Sequence, residues 1–260
     1  MSFQVLISAL NADEKELLNG MKIQSDAVLV NQCETDGEDR IDIDGHSALI
    51  MRRSDRGVGL SRNTAMDNAQ AKICLFSDED IEYYDGYEEK VLAAFKRHPD
   101  ASVITFNMDV DERRRTYINE KERKVGWTNY GRYPAYALAI SLSDIRNKNI
   151  RFSHLFGGGA KYSNGEDSLF LHDCLKNRLK IYAVTDCLGK EKYRESTWFK
   201  GYTDKFFFDR GVLYHFLYGK AALLLGLRFL LSNKKTMLKD IRLSKALLLL
   251  KNGIVEGKTL

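Results

Sequence analysis

Three carboxylates follow one short apolar segment, and their types and spacing could bind a metal ion. Residues 74–76 are apolar, and Asp78, Glu79 and Asp80 come directly after Ser77. Carboxylates this close repel one another unless a cation lies among them, and oxygen ligands suit Mg²⁺ or Mn²⁺. Because Asp78 and Asp80 are two residues apart, both can face one ion. We predict a Mn²⁺ or Mg²⁺ site with these two ligands; the alternative is an acidic turn.

A second acidic pair, Glu166 and Asp167, stands about 85 residues later, after Gly165. Acidic residues at the start of a helix often serve only as caps, because they stabilise its N-terminus. The pair also supplies what a metal site lacks, a carboxylate that is free to accept a proton. Its position after the first acidic cluster favours this catalytic interpretation.

Alternating strands and helices must position both acidic clusters. Helical spacing predicts helices over 14–21, 59–71, 87–97 and 168–177. Apolar runs predict strands over 5–10, 27–30, 48–52, 72–77, 102–109 and 179–185. Segments 116–125 and 133–142 are predicted to pair with each other as antiparallel strands. The result is an α/β domain over residues 1–190 with a mostly parallel mixed sheet, and ligands bind such sheets at the carboxyl ends of strands.

Composition predicts a cytoplasmic globular protein. The chain has 260 residues, 44% of them hydrophobic, which is enough to bury a large core. Its four cysteines are scattered without a CxxC pair, which fits a reduced compartment. The N-terminus lacks the basic region and the cleavage site of a signal peptide.

Residues 191–260 form a basic helical extension in which apolar and charged residues alternate. They contain 14 Lys/Arg and 6 Asp/Glu, against 26 and 30 in residues 1–190. Interleaved apolar residues favour an anionic lipid surface over nucleic acid as the partner. The apolar stretches are too short to cross a bilayer and are interrupted by Lys220 and Arg228, so we expect them to lie in the interface plane. The alternatives are a solvated tail, or helices that pack on the core or on a second subunit of a homo-oligomer.

The sequence resembles family 2 glycosyltransferases of the GT-A fold, particularly those of bacterial polysaccharide biosynthesis. Four pieces in order carry the resemblance: the first strand ending at Asn11, GLSRNTA at 59–65, FSDEDI at 76–81 as the DxD motif, and NGEDSLF at 164–170. The resemblance covers residues 1 to about 200. It implies a Rossmann-like, mostly parallel mixed sheet flanked by helices.

The resemblance also implies roles for individual residues. Asp167 would be the general base, oriented by Glu166, and Asp80 would bind the metal ion together with Asp78. The residues implied in binding the nucleotide sugar are Ala9, Asn11, Asn31, Arg62, Asp78 and Glu79. Asn31 and Gln32 replace the Asp-Asp pair that the family usually has, and residues 192–196 contain no metal-binding His.

The implied activity is metal-dependent, inverting transfer of a hexosyl group from a nucleotide-diphosphate sugar, a UDP-sugar, to an acceptor hydroxyl. A membrane-seeking extension makes a lipid-linked saccharide the expected acceptor, on the inner face of the cell membrane. Trp198 and Tyr202 could stack on acceptor sugar rings, although packing explains them equally. The alternatives are a nucleotidyltransferase that makes a sugar nucleotide, or a non-catalytic membrane-associated scaffold.

Overall fold

The structure is a computed structural model and describes residues 1–112, 115–192, 201–239 and 241–260. The chain forms two compact units. The first unit contains Met1–His154 and Glu166–Arg194, and the second contains Leu155–Gly165 and Glu195–Leu260. The short segment Leu155–Gly165 thus belongs with the C-terminal helices, which a linear division at residue 190 does not anticipate.

The described strands of the first unit form one mixed sheet. They are β1 (Phe3–Leu10), β2 (Ala27–Gln32), β3 (Gly37–Ile43), β4 (His46–Arg53), β5 (Ile73–Asp78), β6 (Ile81–Tyr83), β7 (Val103–Asp109), β8 (Arg123–Val125), β9 (Leu138–Ser141) and β10 (Ile181–Glu191). Their order is β3-β4-β2-β1-β5-β9-β7-β10-β6, and β8 pairs with β10. Strands β4, β2, β1 and β5 are parallel neighbours, so their carboxyl ends share one edge.

Helices of the first unit connect these strands. They are α1 (Glu14–Gly20), α2 (Val58–Asn68), α3 (Tyr87–Arg97), α4 (Leu142–Asn147) and α5 (Glu166–Lys176), with 3-10 turns at Tyr130–Arg132 and Ala135–Ala137. Helix α3 is amphipathic and buries Tyr87, Val91 and Phe95. Acidic residues lie in its first turn and basic residues in its last, which suits the helix dipole. Central strands are buried along most of their length, as expected for parallel strands covered on both faces.

The predicted α/β class with a mixed sheet is confirmed, and the expected antiparallel pair is wrong. Segments 116–125 and 133–142 do not pair with each other. Strand β8 has three residues and pairs with β10, whereas β9 lies antiparallel between β5 and β7. Edge strand β3 was not predicted, because its sequence GEDRIDI is charged and exposed on most positions. The alternation of apolar and polar residues in these segments is a local signal, and the pairing of β8 and β9 with strands distant in sequence prevails over it.

The second unit is helical in its described C-terminal part. It contains α6 (Asp204–Tyr218), a 3-10 turn (Gly219–Ala221), α7 (Ala222–Ser232), α8 (Lys234–Met237) and α9 (Leu243–Gly257). Helices α6 and α9 pack closely where both have glycine, since a Cβ at Gly211 would overlap the carbonyl oxygen of Leu250 and one at Gly253 that of Phe208. Among the described residues, no helix has the length and apolarity that crossing a membrane requires.

Candidate functional site

Helix α2 places an arginine beside the carboxyl end of the central strands. Its buried residues include three consecutive polar ones, Ser61, Arg62 and Asn63. Ser61 Oγ donates to Ser8 Oγ on β1 at 2.9 Å. Asp78 is the last residue of β5 and lies opposite Ser8 in the parallel register. The GLSRNTA motif therefore forms a helix whose buried polar residues lie near the end of β5, where the DxD motif begins.

Arg62 contacts three carboxylates that come from two distant parts of the sequence. Its Nη2 donates to Asp78 Oδ1 at 2.8 Å. Its Nη1 donates to Asp167 Oδ1 at 3.0 Å and to Glu166 Oε1 at 3.2 Å. The Arg62 side chain is 4% exposed, whereas those of Asp78 and Asp167 are 33% and 26% exposed. One buried guanidinium thus joins the two acidic clusters that the sequence singled out, and two of the carboxylates still reach solvent.

The cluster contains three carboxylates and one guanidinium, and the pKa values of Asp167 and Arg62 are shifted. Burial raises the pKa of Asp167 well above its usual range, Glu166 adds to the shift, and Arg62 opposes it. Desolvation lowers the pKa of Arg62, but the surrounding carboxylates, Asp78 first, raise it by more, so the guanidinium stays charged. Asp167 is therefore a carboxylate with raised basicity beside a permanent cation, which suits proton acceptance.

Asn63 and Gly59 fix the position of α2 in ways that the sequence did not indicate. The Asn63 side chain accepts from Phe152 N and donates to Phe152 O, both at 2.9 Å. A Cβ at Gly59 would overlap the carbonyl oxygen of Ser153, so this close approach requires glycine. The Phe152 ring in turn lies 5.3 Å from the Arg62 guanidinium carbon. These contacts hold α2, and with it the Arg62 side chain, in place beside the three carboxylates.

A second polar network lies at the end of β2. Asn31 is buried; its Nδ2 donates to Ala12 O and to Glu14 Oε1, each at 2.9 Å. Arg52 on β4 donates two hydrogen bonds of 2.8 Å to the Glu14 carboxylate, and these bonds lower the pKa of Glu14. Asn31 therefore fixes the loop between β1 and α1. Nothing in the sequence linked Glu14 to Arg52, because the two are 38 residues apart.

The remaining predicted donor-site residues lie at the same edge of the sheet. Ala9 is buried and pairs with Asn31 in the register of β1 and β2. Asn11 is exposed and has a positive φ of 50°, so the chain turns sharply after β1. Glu79 Oε2 accepts from Leu10 N at 2.9 Å, which ties the DxD segment to the end of β1. The structure brings Ala9, Asn11 and Glu79 together with Asn31 around the ends of β1, β2 and β5.

The acidic residues at the end of β5 are held by protein contacts, Asp78 through its carboxylate and Asp80 through its backbone. Asp78 accepts from Arg62, and the carbonyl oxygen of Asp80 accepts from Lys192 N at 2.7 Å. Across the described ranges, no group of three or more His, Cys, Asp or Glu side chains is arranged to bind a metal ion. Asp78 and Asp80 remain the predicted side-chain ligands of a divalent ion among the residues that the structure describes.

The aromatic residues considered for the acceptor lie in the second unit. Tyr202 is 36% exposed, and its ring lies edge-on to Phe206 with 5.2 Å between centroids. Trp198 lies outside the described residues. In the first unit, Trp127, for which the sequence left acceptor specificity and cross-strand packing equally open, is 58% exposed, with its ring 5.3 Å from that of His172.

Comparison with known proteins identifies the sequence family. The profile described as Glycosyl transferase family 2 matches residues 23–157, which is more than half of the chain. This range contains the GLSRNTA helix and the DxD segment. No curated protein matches the chain.

Solved structures of TarS from S. aureus, residues 1–349, share the fold. The complex with UDP-GlcNAc has a TM-score of 0.65 at 16% identity, covering 94% of this chain and 77% of that one. A second structure of TarS 1–349 has a TM-score of 0.63 at 15% identity, covering 99% of this chain and 79% of that one. The UDP complex has a TM-score of 0.61 at 14% identity, covering 94% and 77%. At these identities the likeness shows the fold, and the predicted GT-A fold is confirmed.

Proposed function

The chain belongs to glycosyl transferase family 2, and from that premise we propose that it transfers a sugar from a UDP-sugar to an acceptor hydroxyl with inversion. One observation carries the proposal. Buried Arg62 unites Asp78, the first residue of the DxD segment, with Asp167, the expected general base. A fold with unrelated acidic turns would have no reason to bury a cation between them. The family favours this activity over a nucleotidyltransferase.

Asp167 is proposed to act as the general base. Its carboxylate would take the proton of the acceptor hydroxyl while that oxygen attacks the anomeric carbon and the nucleoside diphosphate departs. A single displacement inverts the anomeric centre. The raised pKa of Asp167 makes its carboxylate a stronger base than an ordinary aspartate. Glu166 shares Arg62 Nη1 with Asp167, which supports its role in orienting the base.

The donor is proposed to lie across the ends of β1, β2 and β5. Ala9, Asn11 and Asn31 would line the nucleotide pocket, and Asp78, Glu79 and Arg62 would face the sugar-diphosphate side. The TarS structures with UDP and UDP-GlcNAc support a uridine nucleotide. Arg62 Nη1 already donates to two carboxylates and Nη2 donates to Asp78, so a phosphate oxygen would accept from the second N–H of Nη2 or replace one of these carboxylates.

A divalent cation fits the donor set at the end of β5. Mg²⁺ and Mn²⁺ take oxygen ligands, and Mg²⁺ is commonly bound by one or two carboxylates, with substrate phosphates and water completing its shell. Asp78 and Asp80 provide that number of carboxylates, and no third side chain is needed. When bound, such an ion stabilises the negative charge that develops on the departing diphosphate.

The C-terminal helices are proposed to bind an anionic membrane surface, on the inner face of the cell membrane. Helices α7 and α9 each expose three large apolar side chains, which is more than scattered single residues would give: Leu223, Leu224 and Leu231 on α7, and Leu243, Leu248 and Val255 on α9. Basic residues accompany them: Lys220, Arg228, Lys234, Lys235 and Lys251. Apolar side chains beside lysines match a lipid interface with phosphate headgroups. A lipid-linked saccharide would then be the acceptor, with Tyr202 and Trp198 as candidates for its sugar rings.

Vesicle binding tests this part of the proposal. Co-sedimentation with vesicles that contain phosphatidylglycerol should exceed that with phosphatidylcholine alone, and Leu224→Ser with Leu248→Ser should abolish it. Ile118→Ser, a substitution at an exposed apolar residue of the first unit, serves as the control. Equal binding by the variant and the wild type would refute membrane docking through these helices.

Donor binding is tested by thermal shift with UDP, GDP, CMP and dTDP, each with and without Mn²⁺. A ligand at about 100 times its Kd stabilises a folded protein by about 2.7 kcal/mol, so a specific donor nucleotide gives a clear shift. We expect UDP to give the largest shift, increased by Mn²⁺, and Asp80→Ala to remove the increase. Asp173→Asn changes an acidic side chain of α5 that is 46% exposed and should leave the shift intact. No shift with any nucleotide would favour a scaffold without catalysis.

A further inference from the structure

We propose that helix α6 positions the general base by fixing the segment 163–165, which runs directly into Glu166 and Asp167. The inference rests on the proposed role of Asp167. It assigns a positioning function to Asp209, with smaller contributions from Arg210 and Leu213. All three contacts lie within the second unit, and the peptide bond after Gly165 carries their effect to the first residue of α5.

Asp209 is the main contact. It is 3% exposed, and its Oδ2 accepts from the Ser163 backbone N at 2.9 Å and from the Ser163 hydroxyl. Lys205, one turn earlier on α6, donates to the same oxygen at 2.6 Å and to the Lys161 carbonyl at 2.9 Å. A buried carboxylate with three donors is a strong and directional constraint on the backbone at Ser163.

The next two residues of the segment also contact α6. Arg210 Nη2 donates to Asn164 Oδ1 at 3.4 Å, which is a long and weak hydrogen bond. Gly165 has a φ of 123°, and a Cβ there would overlap the Leu213 side chain. Leu213 lies one turn after Asp209 and Arg210 on α6, so the three consecutive residues of the segment contact α6 within about one turn of the helix.

Helix α9 contacts the two residues that precede the segment. Glu256 Oε1 accepts from Lys161 Nζ at 2.9 Å and from the Tyr162 hydroxyl at 3.0 Å. Contacts with α6 and α9 therefore hold all five residues before Glu166 against the C-terminal helices. Because an error of about 1 Å in the place of a catalytic group can cost about 100-fold in rate, this constraint has a catalytic consequence.

The test compares wild type, Asp209→Ala, Asp209→Asn and Asp204→Asn. Asp209→Asn keeps one acceptor oxygen, and Asp204→Asn removes an exposed ion pair with Lys245 on the same helix. Two readouts are taken: release of UDP from UDP-GlcNAc, and amide hydrogen exchange of a peptide over residues 161–170. Ser163→Ala, which removes only the hydroxyl donor, replaces Asp209→Ala if that variant does not fold.

We expect Asp209→Ala to lower kcat about 10- to 100-fold, with the KM for the donor within about twofold. Exchange of the 161–170 peptide should rise while that of β1 and β5 stays at the wild-type rate. Asp209→Asn should recover most of kcat. Unchanged exchange in Asp209→Ala, or a fall in kcat no larger than that of Asp204→Asn, would overturn the inference. If Asp167→Asn still releases UDP at the wild-type rate, the proposed base is wrong, while the exchange measurement still decides whether Asp209 fixes the segment.

Discussion

Two arginines on two helices, Arg62 on α2 and Arg210 on α6, lie against phenyl rings but differ in their charged partners. The Arg62 guanidinium carbon is 5.3 Å from the Phe152 ring, and that of Arg210 is 5.3 and 5.2 Å from the rings of Phe206 and Phe229. Arg62 has three carboxylates within ion-pair distance. No described residue offers Arg210 a carboxylate within that distance.

The charge of Arg62 therefore holds a group of carboxylates together, whereas Arg210 contributes mainly through packing against aromatic rings. Desolvation lowers the pKa of both guanidinium groups. At Arg62 the carboxylates reverse that shift and raise the pKa, whereas at Arg210 the pKa stays lowered. A buried cation that compensates several acidic groups cannot be removed without leaving them unpaired. Removal of a cation that only stacks on aromatic rings leaves no acidic group unpaired.

Replacement of Arg62 should have the largest effect on the molecule. Arg62→Met leaves three buried or half-buried carboxylates without their cation, so we expect the free energy of unfolding to fall by about 3–5 kcal/mol. UDP release should be lost as well. Urea denaturation at neutral pH measures the first effect. A cost below about 1 kcal/mol would show that the cluster does not depend on this charge.

Replacement of Asp167 should separate activity from stability. Asp167→Asn removes the proposed base and should lower kcat about 10²- to 10⁴-fold. It also removes one of three carboxylates that share a single guanidinium, so the melting temperature at neutral pH should be equal to or higher than that of wild type. Both are measured on the same preparation. Activity within tenfold of wild type would contradict the role of Asp167.

Local sequence signals were sufficient to predict the helices and the strand that position the site. Helix α2, strand β5 and helix α5 were predicted close to their observed bounds, because their apolar spacing and their acidic or glycine-rich boundaries are local. Arg62, Asp78 and Asp167 could be singled out through the resemblance. Their mutual contact could not, since 105 residues separate Arg62 from Asp167.

Contacts that depend on tertiary pairing had no local signal. The bond from Asn63 to Phe152 spans 89 residues, and that from Ser163 to Asp209 spans 46. Asn63 and Asp209 look like ordinary polar residues of helices until the partner strand or loop is in place. The wrong pairing of segments 116–125 and 133–142 has the same origin, because β9 takes its partners from β5 and β7.

The pH dependence of stability should expose the raised pKa of Asp167. An acid whose folded pKa exceeds its unfolded value, about 3.9, contributes stability that is fully present below that value and is lost as the pH rises through the folded pKa. Asp167→Asn should therefore match wild type in acid and gain on it as the pH rises. UDP release by wild type should increase over the same window, because the base must be ionised. Parallel melting curves for both proteins would argue against a raised pKa.

Replacement of Arg210 should have the smallest effect. Arg210→Met keeps a long apolar side chain between Phe206 and Phe229 and removes a cation whose pKa is lowered, because burial disfavours its charge. Exchange of a buried charge for an apolar group of similar size is often neutral or stabilising, and no carboxylate among the described residues is left unpaired. We expect the free energy of unfolding to change by about 1 kcal/mol or less, with kcat within about twofold because the 3.4 Å bond to Asn164 is weak. A loss as large as that of Arg62→Met, measured by the same urea denaturation, would mean that Arg210 compensates a charge, and the contrast between the two arginines would fail.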